Sequence, residues 1–182
     1  MQIKDTGLAF GVVTIMNHWI GAILMVSFVI LSVSTLLLDG AAEPDRQSTT
    51  STLGFLCLIL FSFRIYWRIK HYHPLPLGGT SPIEVIISRC VSSGLILAGV
   101  ILPVLHWAFL SAGGRSFLVF GLDFPGISPT NQSFASILSA LYWLGITAFC
   151  LGLMMHILGA LKHQFLLKED SILRLMGKKV EL

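Results

Sequence analysis

Charged residues are scarce in this chain. Lys and Arg number 12 and Asp and Glu 9 in 182 residues, a charged fraction of 12%. That is too little polar surface to cover a soluble domain, which carries about 25% charged residues. The net charge of +3 is small and shows no basic run, so no nucleic-acid partner is expected. Cysteine is also sparse. Cys57, Cys90 and Cys150 lie far apart inside apolar runs, without the spacing of a metal site or a disulfide framework, and read as buried thiols. There is no internal repeat. The first apolar run is too long for the h-region of a cleavable signal peptide, so none is expected.

What the chain has instead is apolar length. It is 54% hydrophobic, with a mean hydropathy of +0.82. Four apolar runs predict membrane-spanning helices at roughly 15–38, 50–67, 85–110 and 135–161. The second is short by apolar count and is expected to start within the Ser/Thr cluster at Ser48 to Thr52, whose hydroxyls can cap a helix. Four such spans use almost the whole chain. The expected fold is therefore an all-α integral membrane four-helix bundle, one domain over residues 1–182, surrounded by membrane lipid.

Basic residues in short loops set the expected orientation. The loop after the first span holds Asp39, Glu43, Asp45 and Arg46, and the loop after the third holds Arg115 as its only basic residue. Arg64, Arg68 and Lys70 follow the second span, with His71 and His73 nearby, and Lys162, Lys168, Arg174, Lys178 and Lys179 follow the fourth. Both termini are expected to be cytoplasmic. Trp19 and Trp67 then mark the cytoplasmic interface, and Trp107 and Trp143 the outer one.

An ionisable residue inside a span is costly and becomes a candidate for function. His18 lies early in the first span and His156 late in the fourth, so antiparallel helices place two imidazoles at similar depth. Two readings of that pair stand. The imidazoles ligate a haem iron between them, or each only hydrogen-bonds within the bundle or at the interface. Gly21 would let a flat macrocycle approach the backbone. His163 lies seven residues past His156 on the same helix face and reads as an interfacial residue able to reach a haem propionate. No Cys-x-x-Cys-His motif is present, so any haem is expected to be b-type and non-covalent.

Several stretches together resemble the bacterial cytochrome b561 family of inner-membrane haem proteins, over essentially the whole chain. They are His18-Trp19, Arg64-Ile65-Tyr66-Trp67-Arg68, a loop with Pro74 and Pro76, Gly114-Arg115, and Phe120-Gly121-Leu122-Asp123-Phe124-Pro125. His156, Leu161-Lys162-His163-Gln164-Phe165 and Lys168-Glu169-Asp170-Ser171-Ile172-Leu173-Arg174-Leu175-Met176 complete the set. The resemblance implies a multi-pass protein of the bacterial inner membrane that moves electrons between quinone and a second redox partner. One branch of the family oxidises superoxide and reduces ubiquinone.

Such proteins usually hold two haems through four histidines, and His18 and His156 match the cytoplasmic pair. The periplasmic pair falls at Thr50 and at Tyr142, fourteen residues before His156, so both periplasmic ligands are replaced. His106 stands where the family tends to have glycine, and Ser92 where it tends to have a further histidine. The resemblance thus implies one haem b on the cytoplasmic side, ligated by His18 and His156, with the outer site filled by Thr50, His106 and Tyr142. In a rival reading His106 is a replacement ligand opposite Tyr142. Arg64, Arg68 and Arg89 sit at cytoplasmic helix ends, either as positive-inside anchors or as partners for a propionate or a quinone headgroup.

Three functional readings follow. The first is a mono-haem b-type cytochrome exchanging electrons with quinone or a redox partner. The second is a structural or accessory subunit of a larger respiratory membrane complex. The third is a di-haem quinone oxidoreductase of the superoxide-oxidising kind with unusual ligands.

Overall fold

A computed structural model describes residues 5–6, 9–37, 44–71, 81–168 and 171–177. His73, Pro74, Pro76, Asp39, Glu43, Glu169, Asp170, Lys178 and Lys179, which the sequence reading used, lie outside the described residues. The chain forms a four-helix membrane bundle from α1 (Val12–Leu37), α2 (Pro44–Lys70), α3 (Pro82–Ala112) and α4 (Gln132–Leu161). A short hairpin of β1 (Phe117–Val119) and β2 (Leu122–Phe124) joins α3 to α4, and a π-helical turn at Lys162–Leu166 leads to the short α5 (Ser171–Leu175).

Local chemistry sets the helix ends. Pro44 and Pro82 open α2 and α3, where a missing N–H costs nothing. Ser81 Oγ accepts from the Glu84 amide at 3.3 Å, and Asn131 Oδ1 accepts from the Phe134 amide at 3.0 Å. The aspartate at position 5 caps the entry to α1, where its carboxylate accepts from the Gly11 amide at 2.6 Å and the Thr14 hydroxyl at 2.9 Å. The hairpin turns on Phe120 and Gly121, both with positive φ (51° and 79°), as a two-residue turn with both central residues left-handed requires. It is tied to α2 by Phe120 N–H donating to Thr52 Oγ1 at 3.0 Å and Gln47 Nε2 donating to the Ser116 carbonyl at 2.9 Å.

All four long helices are long and apolar enough to cross a membrane. Ile23, Ile30, Ile59 and Leu144 are exposed along them. Water would not tolerate so much exposed apolar surface, and lipid does. The protein is thus a multi-pass membrane protein.

The chain divides into two compact units. The first draws on the described residues of Met1–Ile20, Phe63–Ile96 and Phe149–Leu182, the second on those of Gly21–Ser62 and Leu97–Ala148. Each unit therefore takes one end of every long helix. In the second unit, close helix contact depends on glycine. A Cβ at Gly54 would lie 3.0 Å from the Phe28 ring, and one at Gly99 would overlap the ring of Phe61. Small residues at such contacts let membrane helices gain packing that lipid cannot offer. Gly99→Leu is expected to destabilise the protein by about 1–3 kcal/mol through overpacking. At about 2–4 °C per kcal/mol for a chain of this size, a thermal melt in detergent should show a clear fall in Tm.

Candidate functional site

The first unit brings three of the six candidate site residues together. The rings of His18 on α1 and His156 on α4 have centroids 6.3 Å apart with planes inclined at 45°. Arg64 on α2 places Nη2 3.0 Å from His18 Nδ1. A guanidinium only donates, so Nδ1 accepts and the His18 proton sits on Nε2. Trp19 meets the His18 ring edge-on at 5.5 Å. Around this core, Trp67 Nε1 donates to Thr14 Oγ1 at 3.2 Å, and Thr14 donates onward to the aspartate carboxylate at position 5. That chain fixes the start of α1 against α2, one turn before His18. Of the remaining candidates, Arg68 is half-buried one turn beyond Arg64, Arg89 is exposed on α3, and His163 is half-buried in the π-helical turn. The Lys162 ammonium in that same turn pairs with Glu84 at 3.1 Å.

Among the described residues no group of three or more His, Cys, Asp or Glu could hold a bare metal ion. Two imidazoles suit a different partner, a metal already held by a macrocycle. An imidazole nitrogen binds a first-row metal at about 2 Å, so two axial imidazoles place their ring centres roughly 6 Å apart. The separation of His18 and His156 meets that requirement. A Cβ at Gly159, one turn beyond His156, or at Gly94 on α3 would meet nothing within 4 Å. A flat ligand needs space of that kind at the backbone. These residues fit a haem.

The second unit holds another polar cluster. Tyr142, 1% exposed, donates to Ser32 Oγ at 2.6 Å, and Ser32 donates to the Phe28 carbonyl at 2.7 Å. His106 lies 5.5 Å from Tyr142 between ring centroids, and Phe28 meets both rings edge-on. His106 Nε2 stands 3.5 Å from Ser51 Oγ, at the limit of a hydrogen bond. Thr50 donates to the Arg46 carbonyl of its own helix at 2.8 Å. His106 and Tyr142 thus pack together, but the hydroxyls take partners other than one another. Ser32 and Ser51 complete the cluster and were not singled out in the sequence, where each is one serine among several in an apolar or polar run. The cavity here is about 40 Å³, far below the roughly 300–1,000 Å³ of a site for a sizeable ligand. This arrangement does not fit a haem. Arg115, beyond the end of α3, lies 5.0 Å over the Phe109 ring, and partial burial lowers its pKa from the ordinary arginine value.

The family described as prokaryotic cytochrome b561 matches residues 9–178. The chain is 30% identical over 168 residues, 89% of its own length and 92% of the relative's, to a protein of Yersinia pestis named probable superoxide oxidase CybB. It is 28% identical over 183 residues, 98% of this chain and 96% of the relative, to cytochrome b561 homolog 2 of Escherichia coli strain K12.

The Tyr142 hydroxyl is a buried hydrogen-bond donor to Ser32 Oγ. Tyr142→Phe is expected to cost about 0.5–1.5 kcal/mol, the net worth of one hydrogen bond. The protein should remain folded with a modestly lower Tm; a loss of the fold would show that the hydroxyl does more than bond Ser32.

Proposed function

Because the chain belongs to the prokaryotic cytochrome b561 family, we propose that it is a mono-haem b-type cytochrome of electron transfer, with His18 and His156 as the axial pair. The separation of the two imidazoles carries this reading. When bound there, a haem supplies a reversible one-electron couple at its iron.

The protein's own residues supply position and charge. The helices α1 and α4 hold the imidazoles, and the Asp–Thr14–Trp67 hydrogen bonds fix the first turns of α1. Ligation through His18 Nε2 requires the proton to sit on Nδ1. Arg64, close to His18, would then be placed to pair with a carboxylate. A propionate provides one, and arginine is suited to planar anions. Arg68, Arg89 and His163 form a polar rim on the same unit, where a quinone headgroup or a redox partner would exchange electrons. Their charge, with that of the C-terminal tail, supports an orientation with both termini cytoplasmic.

The second unit has no part in this reaction. Thr50, His106 and Tyr142 stand where the family resemblance expects the other haem, and side chains take its space. Electrons therefore stay on one side of the membrane, and oxidation of superoxide at the outer face with delivery across the bilayer is not expected. The Yersinia pestis relative's name does not carry over on that point.

Three measurements test the proposal. His18→Ala and His156→Ala should each abolish the low-spin spectrum and lower the yield of folded protein, since a ligand that binds the native state adds to its stability. Either variant with an unchanged bis-His spectrum refutes the assignment. Acid–acetone should extract the haem, and haem retained on the denatured chain contradicts a b-type site. Quinol added to the oxidised protein should reduce the haem; a spectrum that does not change points instead to an accessory subunit.

A further inference from the structure

The second unit carries a buried polar group that electron transfer does not use. His106 is 6% exposed. Its Nε2 faces Ser51, while its Nδ1 is buried and has no protein partner among the described residues. A buried nitrogen of this kind is uncommon, because nearly all such atoms are hydrogen-bonded to protein or to ordered water.

The cavity of about 40 Å³ lies against this ring and is also walled by Ser32, Gln47, Thr50, Arg115 and Tyr142. Ser51 is not among its walls. His106 thus both lines this cavity and carries a buried nitrogen with no protein partner among the described residues. One water needs at least roughly 10–15 Å³ of such space and two to four polar partners. The volume is enough for water and too small for a quinone ring. The walls offer the partners. Thr50 and Tyr142 have committed their protons to the Arg46 carbonyl and to Ser32, so each presents oxygen lone pairs to a donor. A water can donate to or accept from Nδ1, so it suits either tautomer of His106, as an ion of one sign would not.

We propose that this cavity is a water-binding site, with at least one ordered water hydrogen-bonded to His106 Nδ1. The proposal rests on the reading that no second haem enters this unit. It makes the replaced haem site a hydrated polar plug: four aromatic rings, Phe28, Phe109, Phe117 and Tyr142, pack around His106, and water satisfies the one nitrogen that they leave. His106 is then held with both ring nitrogens partnered and acts as a structural residue.

The test uses the full haem-loaded protein in lipid nanodiscs. A structure at a resolution that shows waters should give a density peak about 2.7–3.2 Å from His106 Nδ1. Infrared difference spectra between ordinary and ¹⁸O water should show an internal-water O–H stretch that shifts with the isotope. His106→Phe, similar in size and without ring nitrogens, should lose that band while keeping its haem. Should the variant fail to fold, the wild-type density decides. A cavity holding no density or a lipid chain overturns the proposal, as does an isotope-sensitive band unchanged in His106→Phe. One haem with a dry cavity sinks this inference alone, whereas a second haem beside His106 sinks the mono-haem reading as well.

Discussion

A bilayer offers no water to a polar group inside it, so each such group must find a partner within the protein. Most features of this chain follow from that constraint. Hydroxyls within the helices return their protons to the preceding turn: Thr35 to Leu31, Thr49 to Asp45, Ser136 to Gln132 and Thr147 to Trp143. The buried side chains with longer reach pair across helices, Tyr142 with Ser32 and Arg64 with His18. In the second unit His106 Nδ1 is buried without a protein partner among the described residues, and the His106 ring lines a cavity of about 40 Å³.

The two units answer the same problem in opposite ways. In the first, the His18 and His156 rings lie 6.3 Å apart between centroids and glycine leaves space along α3 and α4. In the second, aromatic rings occupy the centre. Phe28 packs edge to face on His106 and Tyr142, whose own rings are tilted against each other, and Phe61 fills the space opened by Gly99. Interiors pack near crystalline density, so a bundle that gives up a cofactor must fill the volume with side chains or water. The hairpin adds cover to the second unit, with Phe117 stacked on Trp107 at 4.7 Å and Val119 buried.

Hydropathy made the four helices legible in the sequence, and short motifs such as His18-Trp19 and Leu161-Lys162-His163-Gln164-Phe165 made the family so. Helix ends were less so. The first turns of α2 are polar from Pro44 to Thr52, and an apolar count starts the span later than Pro44, where proline begins the helix. The hairpin was hidden because Phe120 takes a left-handed position that usually signals itself with Asn, Asp or Gly. The closeness of His18 and His156 was visible from depth alone, since antiparallel helices with histidines near opposite sequence ends bring them level. The Arg64 contact with Nδ1 was not visible, because an arginine at a helix end looks the same whether it anchors, binds a carboxylate or reaches across to an imidazole. Ser32 and Ser51 gave no signal, since their role depends on which face of the helix meets Tyr142 or His106.

The central claim is that one unit of this bundle holds a haem and the other cannot. Haem per chain tests it most directly. A pyridine haemochrome assay on protein purified with excess haem available during expression, set against chain concentration by amino-acid analysis, should give one haem per chain. A ratio of two would contradict the account and restore a path for electrons across the membrane.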